Sequence, residues 1–302
     1  MKVACLQFAP KLGRVDDNID RANGLIQRAA NFNHVDWLIL PEMAFSGYNF
    51  PSLEAITPFL EPTPHPSQHL EAYGITTRWA VTTAQFLKCT ITVGYPELHT
   101  PSTPNTPPIR YNSTVTVSPT GVILSNYRKT HLYYTDETWA SEGPTRFFAG
   151  PLGTLGPVAH GICMDINPYK FLAPWKDYEF CAHAMAAQSP LITVSMAWLT
   201  RLEAEEITEL PLQPDRETLT YWLERFWPLK ERAGEEPVII VCANRCGVEG
   251  AAVYAGTSAV FRIQRGRAFI LDMLGKCEER VLVVDLNQPA TFELTPSTVA
   301  TQ

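Results

Sequence analysis

The chain has 302 residues, of which 45% are hydrophobic and 18% charged, enough apolar material for one large layered α/β domain over 1–302 and too much for extensive disorder. A net charge of −7 and a pI near 5.5 argue against a nucleic-acid partner, whose phosphates demand a basic stripe. No stretch approaches the roughly 18 apolar residues of a membrane helix, and Met1–Pro10 lacks the charged, apolar and cleavage regions of a signal peptide.

In chain order, Lys2–Phe8 reads as a buried strand. A helix follows, with Asp16 or Asp17 as the cap and Ile19, Ala22, Leu25, Ile26, Ala29 and Ala30 at helical spacing. Trp37–Leu40 is a second short strand ended by Pro41, so the opening is a β–α–β unit. Ser67–Leu87 has helical character, Cys89–Tyr95 is a strand, and the proline-rich stretch 101–108 is a surface loop. Ser113–Ser118 and Val122–Tyr127, split by Pro119-Thr120-Gly121, predict a hairpin. Phe147, Phe148 and Leu155–Met164 predict a strand pair. Leu191–Met196, Val238–Ala243, Ser258–Ile263, Ala268–Leu271 and Val281–Leu286 complete the strands, with a helix over Arg216–Arg232. Early strands alternating with helices and a strand-rich later part predict two sheets packed face to face with helices outside.

Seven cysteines are an odd count, and Cys5, Cys89, Cys181 and Cys242 sit inside apolar runs. Cys242 and Cys246 form a close pair but lack His or Cys partners at zinc-ligand spacing. The expectation is reduced, buried thiols in a cytoplasmic protein that holds no metal. No glycine-rich dinucleotide loop follows a strand, so no cofactor is expected.

Three segments carry chemistry at predicted strand ends. LILPEMAFSGY delivers Glu42 into a loop, where burial lifts a carboxylate toward the range of a useful base. YRKTHL fixes Lys129, whose charge suits carboxylate neighbours and a developing oxyanion. AHGICMD ends a strand in Cys163, as a nucleophile on a sharp turn would be placed. Taken singly, each has an ordinary reading: a loop charge, a solvated Lys-Arg pair, one more buried thiol. His131 reads as a structural hydrogen-bonding residue rather than a base.

The ordered set of Glu42, Lys129 and Cys163, with KVACLQFAP, Asn18, Tyr111-Asn112-Ser113, Ala243–Gly247 and Tyr254–Ser258, resembles the nitrilase, or carbon–nitrogen hydrolase, superfamily along most of the chain. YRKTHLYYTDETW and CMDINPYKF look most like the fungal protein N-terminal amidases, which convert N-terminal Asn and Gln to Asp and Glu. Met164 and Asn167 stand where the commoner family pattern has Tyr and Arg, which argues against small-acid ω-amidase and carbamoylase readings. The resemblance implies a four-layer α-β-β-α sandwich of two mixed sheets. It also implies Glu42 as base, Cys163 as nucleophile, Lys129 with the Met164 N–H as oxyanion donors, and Glu137 as a fourth catalytic residue, with Glu142 competing for that place.

For a peptide or protein N-terminus as substrate, Asp136, Glu137 and Asp165 are the acids expected near the α-amine; Trp139 and Phe45 are candidate walls, with plain core or loop packing as the favoured reading of both. Asp165 also reads as an anchor of the cysteine turn. Two rivals remain at this stage: an amidase of free amino acids or small amides, and a non-catalytic scaffold.

Overall fold

The computed structural model describes residues 1–30, 32–232, 234 and 236–294. Six strands come first: β1 (Lys2–Gln7), β2 (Trp37–Ile39), β3 (Glu61–Pro62), β4 (Thr90–His99), β5 (Ile109–Val117) and β6 (Ile123–Arg128). They are followed by β7 (Phe148–Pro151), β8 (Pro157–Ile162), β9 (Leu191–Met196) and β10 (Val238–Asn244). A ribbon of β11 (Cys246–Glu249) and β12 (Ala252–Ala255) precedes β13 (Ala259–Gln264), β14 (Arg267–Met273), β15 (Arg280–Asp285) and β16 (Phe292–Leu294). The helices are α1 (Val15–Gln27), α2 (Leu53–Ile56), α3 (Ile75–Leu87), α4 (Tyr134–Glu137), α5 (Glu179–Ala186), α6 (Glu206–Glu209), α7 (Arg216–Arg225) and α8 (Pro228–Arg232).

One sheet has the order β15-β1-β2-β4-β5-β6, with β3 beside β4; the other has β16-β14-β13-β10-β9-β8-β7. Parallel pairs (β1–β2, β2–β4, β8–β9, β9–β10) sit among antiparallel ones, so both sheets are mixed. Strand alternation assigns the layers. Val3, Cys5, Trp37 and Ile39 pack with Val158, Leu191, Val241 and Val260 between the sheets. Their neighbours Ala4, Leu6 and Leu38 turn the other way, onto Ala22 and Ile26 of α1 and Trp79, Ala80 and Ala84 of α3. On the far side Ala159, Ile192, Ile240 and Cys242 meet Phe180 of α5, Leu219 and Trp222 of α7 and Leu229 of α8. This is the expected α-β-β-α sandwich, and it explains the unbroken apolar runs: the central strands are covered on both faces.

Two local expectations are corrected, and two elements had none. α1 begins at Val15 with Arg14 in the cap position and no side-chain cap, so Asp16 and Asp17 both lie within its first turn, where Asp17 Oδ2 accepts from Arg14 Nε at 2.9 Å. The helix over 216–232 is two helices, since Pro228 has no N–H and its ring clashes with the preceding turn. α5 escaped the sequence reading altogether. The β11–β12 ribbon did so too; its strands are too short for a periodic signal.

Candidate active site

Glu42, Lys129 and Cys163 each lie within three residues of the C-terminal end of a strand: β2, β6 and β8 respectively. This is the edge where α/β sheets gather their sites. Glu42 reaches its place because Gly94 of β4 lets the chain pass; a Cβ there would stand 2.6 Å from the Met43 nitrogen and 2.8 Å from the Glu42 Cα. Cys163 sits at φ 41°, a left-handed value disfavoured for a residue with a side chain, as on a strained nucleophile turn.

The ammonium of Lys129 donates to Glu42 Oε1 at 2.6 Å and to Asp136 Oδ2 at 2.6 Å, and all three side chains are fully buried. Asn112 bridges the same two acids, its Nδ2 donating to Glu42 Oε1 (2.6 Å) and Asp136 Oδ1 (2.9 Å). The Ala197 N–H donates to Glu42 Oε2 at 2.9 Å and also faces the Cys163 sulfur. One backbone N–H just past the end of β9 thus lies beside both Glu42 and Cys163.

Burial pushes the Glu42 carboxyl above its ordinary value; the like charge of Asp136 adds to this and Lys129 opposes it. Burial would strip the proton from Lys129, but Asp136 and Glu42 outweigh it and raise its affinity for the proton. Burial lifts the Cys163 thiol well above its usual range and the charge of Glu42 lifts it further, against Lys129. The Cys163 thiol and the Glu42 carboxyl beside it both hold their protons more tightly than they would in water. A thiol in that state needs a base before it can attack.

Asp165 locks the geometry. Its Oδ1 accepts from the N–H groups of Thr130 (3.0 Å) and His131 (2.8 Å), and its Oδ2 accepts from the Ile162 N–H (2.8 Å) and the Tyr127 hydroxyl (2.7 Å). One carboxylate so ties the turn of Cys163 to the loop after Lys129. Glu249 does similar work on the opposite side: it accepts from the N–H groups of Tyr48 (3.1 Å) and Asn49 (2.9 Å), and thereby fixes the Glu42 loop against the β11–β12 ribbon.

A cavity of about 700 Å³ opens over Cys163 and Met164, with Tyr48, Tyr133 and Ala197 beside them and Thr200 and α7 as the far wall. α7 is docked on the cysteine turn by the Tyr221 hydroxyl, which donates to Asn167 Oδ1 at 2.6 Å, and by Arg225 Nε, which donates to the Ile166 carbonyl at 2.6 Å. Among the described residues, no group of three or more His, Cys, Asp or Glu is placed to hold a metal ion, and no helix is long and apolar enough to cross a membrane.

Residues 2–168 match the carbon–nitrogen hydrolase family. The chain belongs to that family. It is 34% identical to the protein N-terminal amidase of Schizosaccharomyces pombe, across 95% of this chain and 100% of that protein. It is 31% identical to the protein N-terminal amidase of Saccharomyces cerevisiae across 66% of this chain, and that match spans 45% of the longer relative. In fold it resembles the crystal structure of an N-terminal amidase with a Gln-Gly peptide, with a TM-score of 0.80, 21% identity, and 94% and 96% of the two chains covered.

Against the expectations, Glu42, Lys129, Cys163 and Met164 come together at this carbon–nitrogen hydrolase site. Asp136 is brought there too, but as the partner of Lys129 rather than as a contact for substrate. Glu137, expected as the fourth catalytic residue, is exposed on α4, because the short helix turns Asp136 inward and the next residue outward. Glu142 is also exposed and accepts from the Tyr169 hydroxyl at 2.7 Å. Asp165 is buried with both oxygens occupied, so it serves the anchoring role and not the α-amine. Trp139 and Phe45 are core: Trp139 packs with Met43, Tyr48 and Tyr254 behind the cavity, and Phe45 packs on Trp79. Sequence reasoning missed the bridging role of Asn112, although Tyr111-Asn112-Ser113 was a visible match. It missed the Ala197 N–H, a backbone group without a sequence signal, and it read α7 as a helix but not as a wall of the site.

Proposed function

We propose that this carbon–nitrogen hydrolase, a single domain over 1–302, deamidates N-terminal Asn or Gln of peptides and proteins to Asp or Glu, releasing ammonia through a thioester on Cys163. The observation that carries the reading is the full-length likeness to a protein N-terminal amidase, joined to a cavity that has Cys163 as part of its lining.

In this mechanism Glu42 takes the Cys163 proton and the thiolate attacks the side-chain amide carbon. The oxyanion forms beside Lys129 Nζ and the Met164 N–H; loss of one such donor typically costs about 3–4 kcal/mol of barrier. Glu42 then passes its proton to the departing nitrogen, the carbon–nitrogen bond breaks, and ammonia leaves a thioester. Glu42 next removes a proton from water, the hydroxide adds to the thioester carbon, and collapse expels the Cys163 sulfur, which regains its proton from Glu42. Asp136 and Asn112 hold Lys129 and Glu42 in register throughout.

The α-ammonium of such a substrate needs an anionic partner. Asp215, Glu217 and Glu224 line the cavity. Asp215 already caps α7, accepting from the Glu217 and Thr218 N–H groups and from the hydroxyls of Thr200 and Thr218. Glu217 and Glu224 are the exposed carboxylates on that wall, and we assign the amine to one of them. Cys5, Cys89, Cys163, Cys242, Cys246 and Cys277 are free thiols, which supports a reducing, cytoplasmic location.

The test is ammonia release from Gln-headed and Asn-headed peptides with free and acetylated termini, with the amide-to-acid mass change read at residue one. Free termini are expected to react and capped ones not. Equal rates on capped peptides, or on free glutamine, would replace this reading with that of a general amidase.

A further inference from the structure

Off the main cavity lies a smaller cleft of about 200 Å³, lined by Thr200, Arg201, Asp215, Arg216, Glu217 and Lys276 among others. The first five also line the catalytic cavity, so the two spaces share a wall. Lys276 is the unusual member: only 7% of it is exposed, and it lines the cleft with no ion pair or side-chain hydrogen bond to any described residue, its stem buried while its Nζ keeps an opening rather than being sealed off. Lysine is almost never buried unless paired, since its charge loses water without gaining a partner. Its backbone is also fixed, because the Lys276 N–H donates to the Gln213 carbonyl at 3.0 Å and the next N–H, of Cys277, to the Pro211 carbonyl at 3.0 Å. Arg201 and Arg216 are exposed and likewise unpaired among the described residues. Three cations thus face two acids, and one of those acids, Asp215, is already occupied by four donors.

We infer that this cleft is a carboxylate subsite, in which Lys276, with Arg201 and Arg216 at its mouth, binds a carboxylate of the substrate peptide downstream of its first residue. The inference rests on the deamidation reading, since it takes the occupant of the catalytic cavity to be a peptide that continues past the reacting residue. Two sources share the chemistry: an acidic side chain and the carboxylate at the end of a short peptide. Either would give the Lys276 ammonium the charge-assisted partner it lacks.

The experiment compares kcat/KM for Gln-Gly-Glu-amide with that for Gln-Gly-Gln-amide, and for Gln-Gly-Gly with that for its C-terminal amide. The acid-to-neutral ratio is the readout, because it is independent of the fraction of active enzyme. In the unaltered protein the ratio is expected at about tenfold for at least one pair, and that pair identifies the source. Lys276→Met should bring it close to one and Arg201→Gln should lower it; if Lys276→Met does not fold, Arg201→Gln decides alone. A ratio near one in the unaltered protein, or one that survives the substitutions, overturns the subsite while leaving deamidation standing. Failure of all four peptides to react overturns both.

Discussion

Arg128 and Lys129 are neighbours at the end of β6, and each reaches a fully buried glutamate on its own side of the strand. On one side Glu97 receives Arg128 through two nitrogens (Nη2 at 2.5 Å, Nε at 3.0 Å), Ser113 Oγ at 2.6 Å, Thr63 Oγ1 at 2.5 Å and Asn126 Nδ2 at 3.0 Å. Burial would raise the Glu97 carboxyl, but Arg128 and these hydroxyls outweigh it and hold it below its ordinary value. On the other side burial lifts Glu42 and the charge of Asp136 adds to it, and Lys129, divided between the two acids, does not offset the rise. One cation to one carboxylate, with every oxygen hydrogen-bonded, makes a fixed strut. One cation shared by two buried carboxylates leaves Glu42 holding its proton more tightly than an ordinary glutamate does. The same two ingredients give architecture or chemistry according to how many acids share the charge.

The contrast yields ordered expectations. The largest effect belongs to Cys163→Ala, which should lower ammonia release by about 10⁴-fold or more while the thermal unfolding curve stays in place; residual turnover near the unaltered rate would remove Cys163 from the chemistry. Lys129→Met should cost about 10²–10³ in kcat through the lost oxyanion donor and also lower Tm, because two buried acids lose their cation. Glu97→Ala should lower stability alone. Stranding Arg128 should cost about 3–5 kcal/mol of stability, seen in denaturant unfolding, with kcat per folded molecule little changed. A collapse of kcat without loss of stability would erase the distinction between strut and site.

The smallest and sharpest test is pH. Glu42 must be ionised to act as a base, so kcat/KM should fall on the acid side at a pH above the ordinary glutamate range of about 4.3. Asp136→Asn removes the like charge that helps to raise Glu42, so the acid limb should move to lower pH. A limb that does not move would mean that Asp136 only fills space. The stability contributions have opposite signs. The contribution of Glu97, with its lowered pKa, is present above its unfolded value and lost as pH falls through the folded one. That of Glu42, with its raised pKa, is present below its unfolded value and lost as pH rises through the folded one.

Most of the strands and their face-to-face arrangement were legible in the residue pattern, because an apolar run is a local fact, whereas Glu42, Lys129 and Cys163 stood out only as an ordered set. Apolar runs such as Leu191–Met196 and Val238–Asn244 have few conformations that hide them, and the chemistry-bearing segments announce strand ends through Pro41, the hairpin turn and the polar residues after Cys163. Only the tertiary structure decided which carboxylate serves which cation. Asp136 and Glu137 are adjacent and chemically alike, yet the turn of α4 buries the first against Lys129 and leaves the second in solvent. The same holds for the Ala197 N–H, the α7 wall and the unpaired ammonium of Lys276. Each acquires its role from groups remote in sequence, and electrostatic partnership in a low-dielectric interior depends on distance and direction, which residue order does not encode.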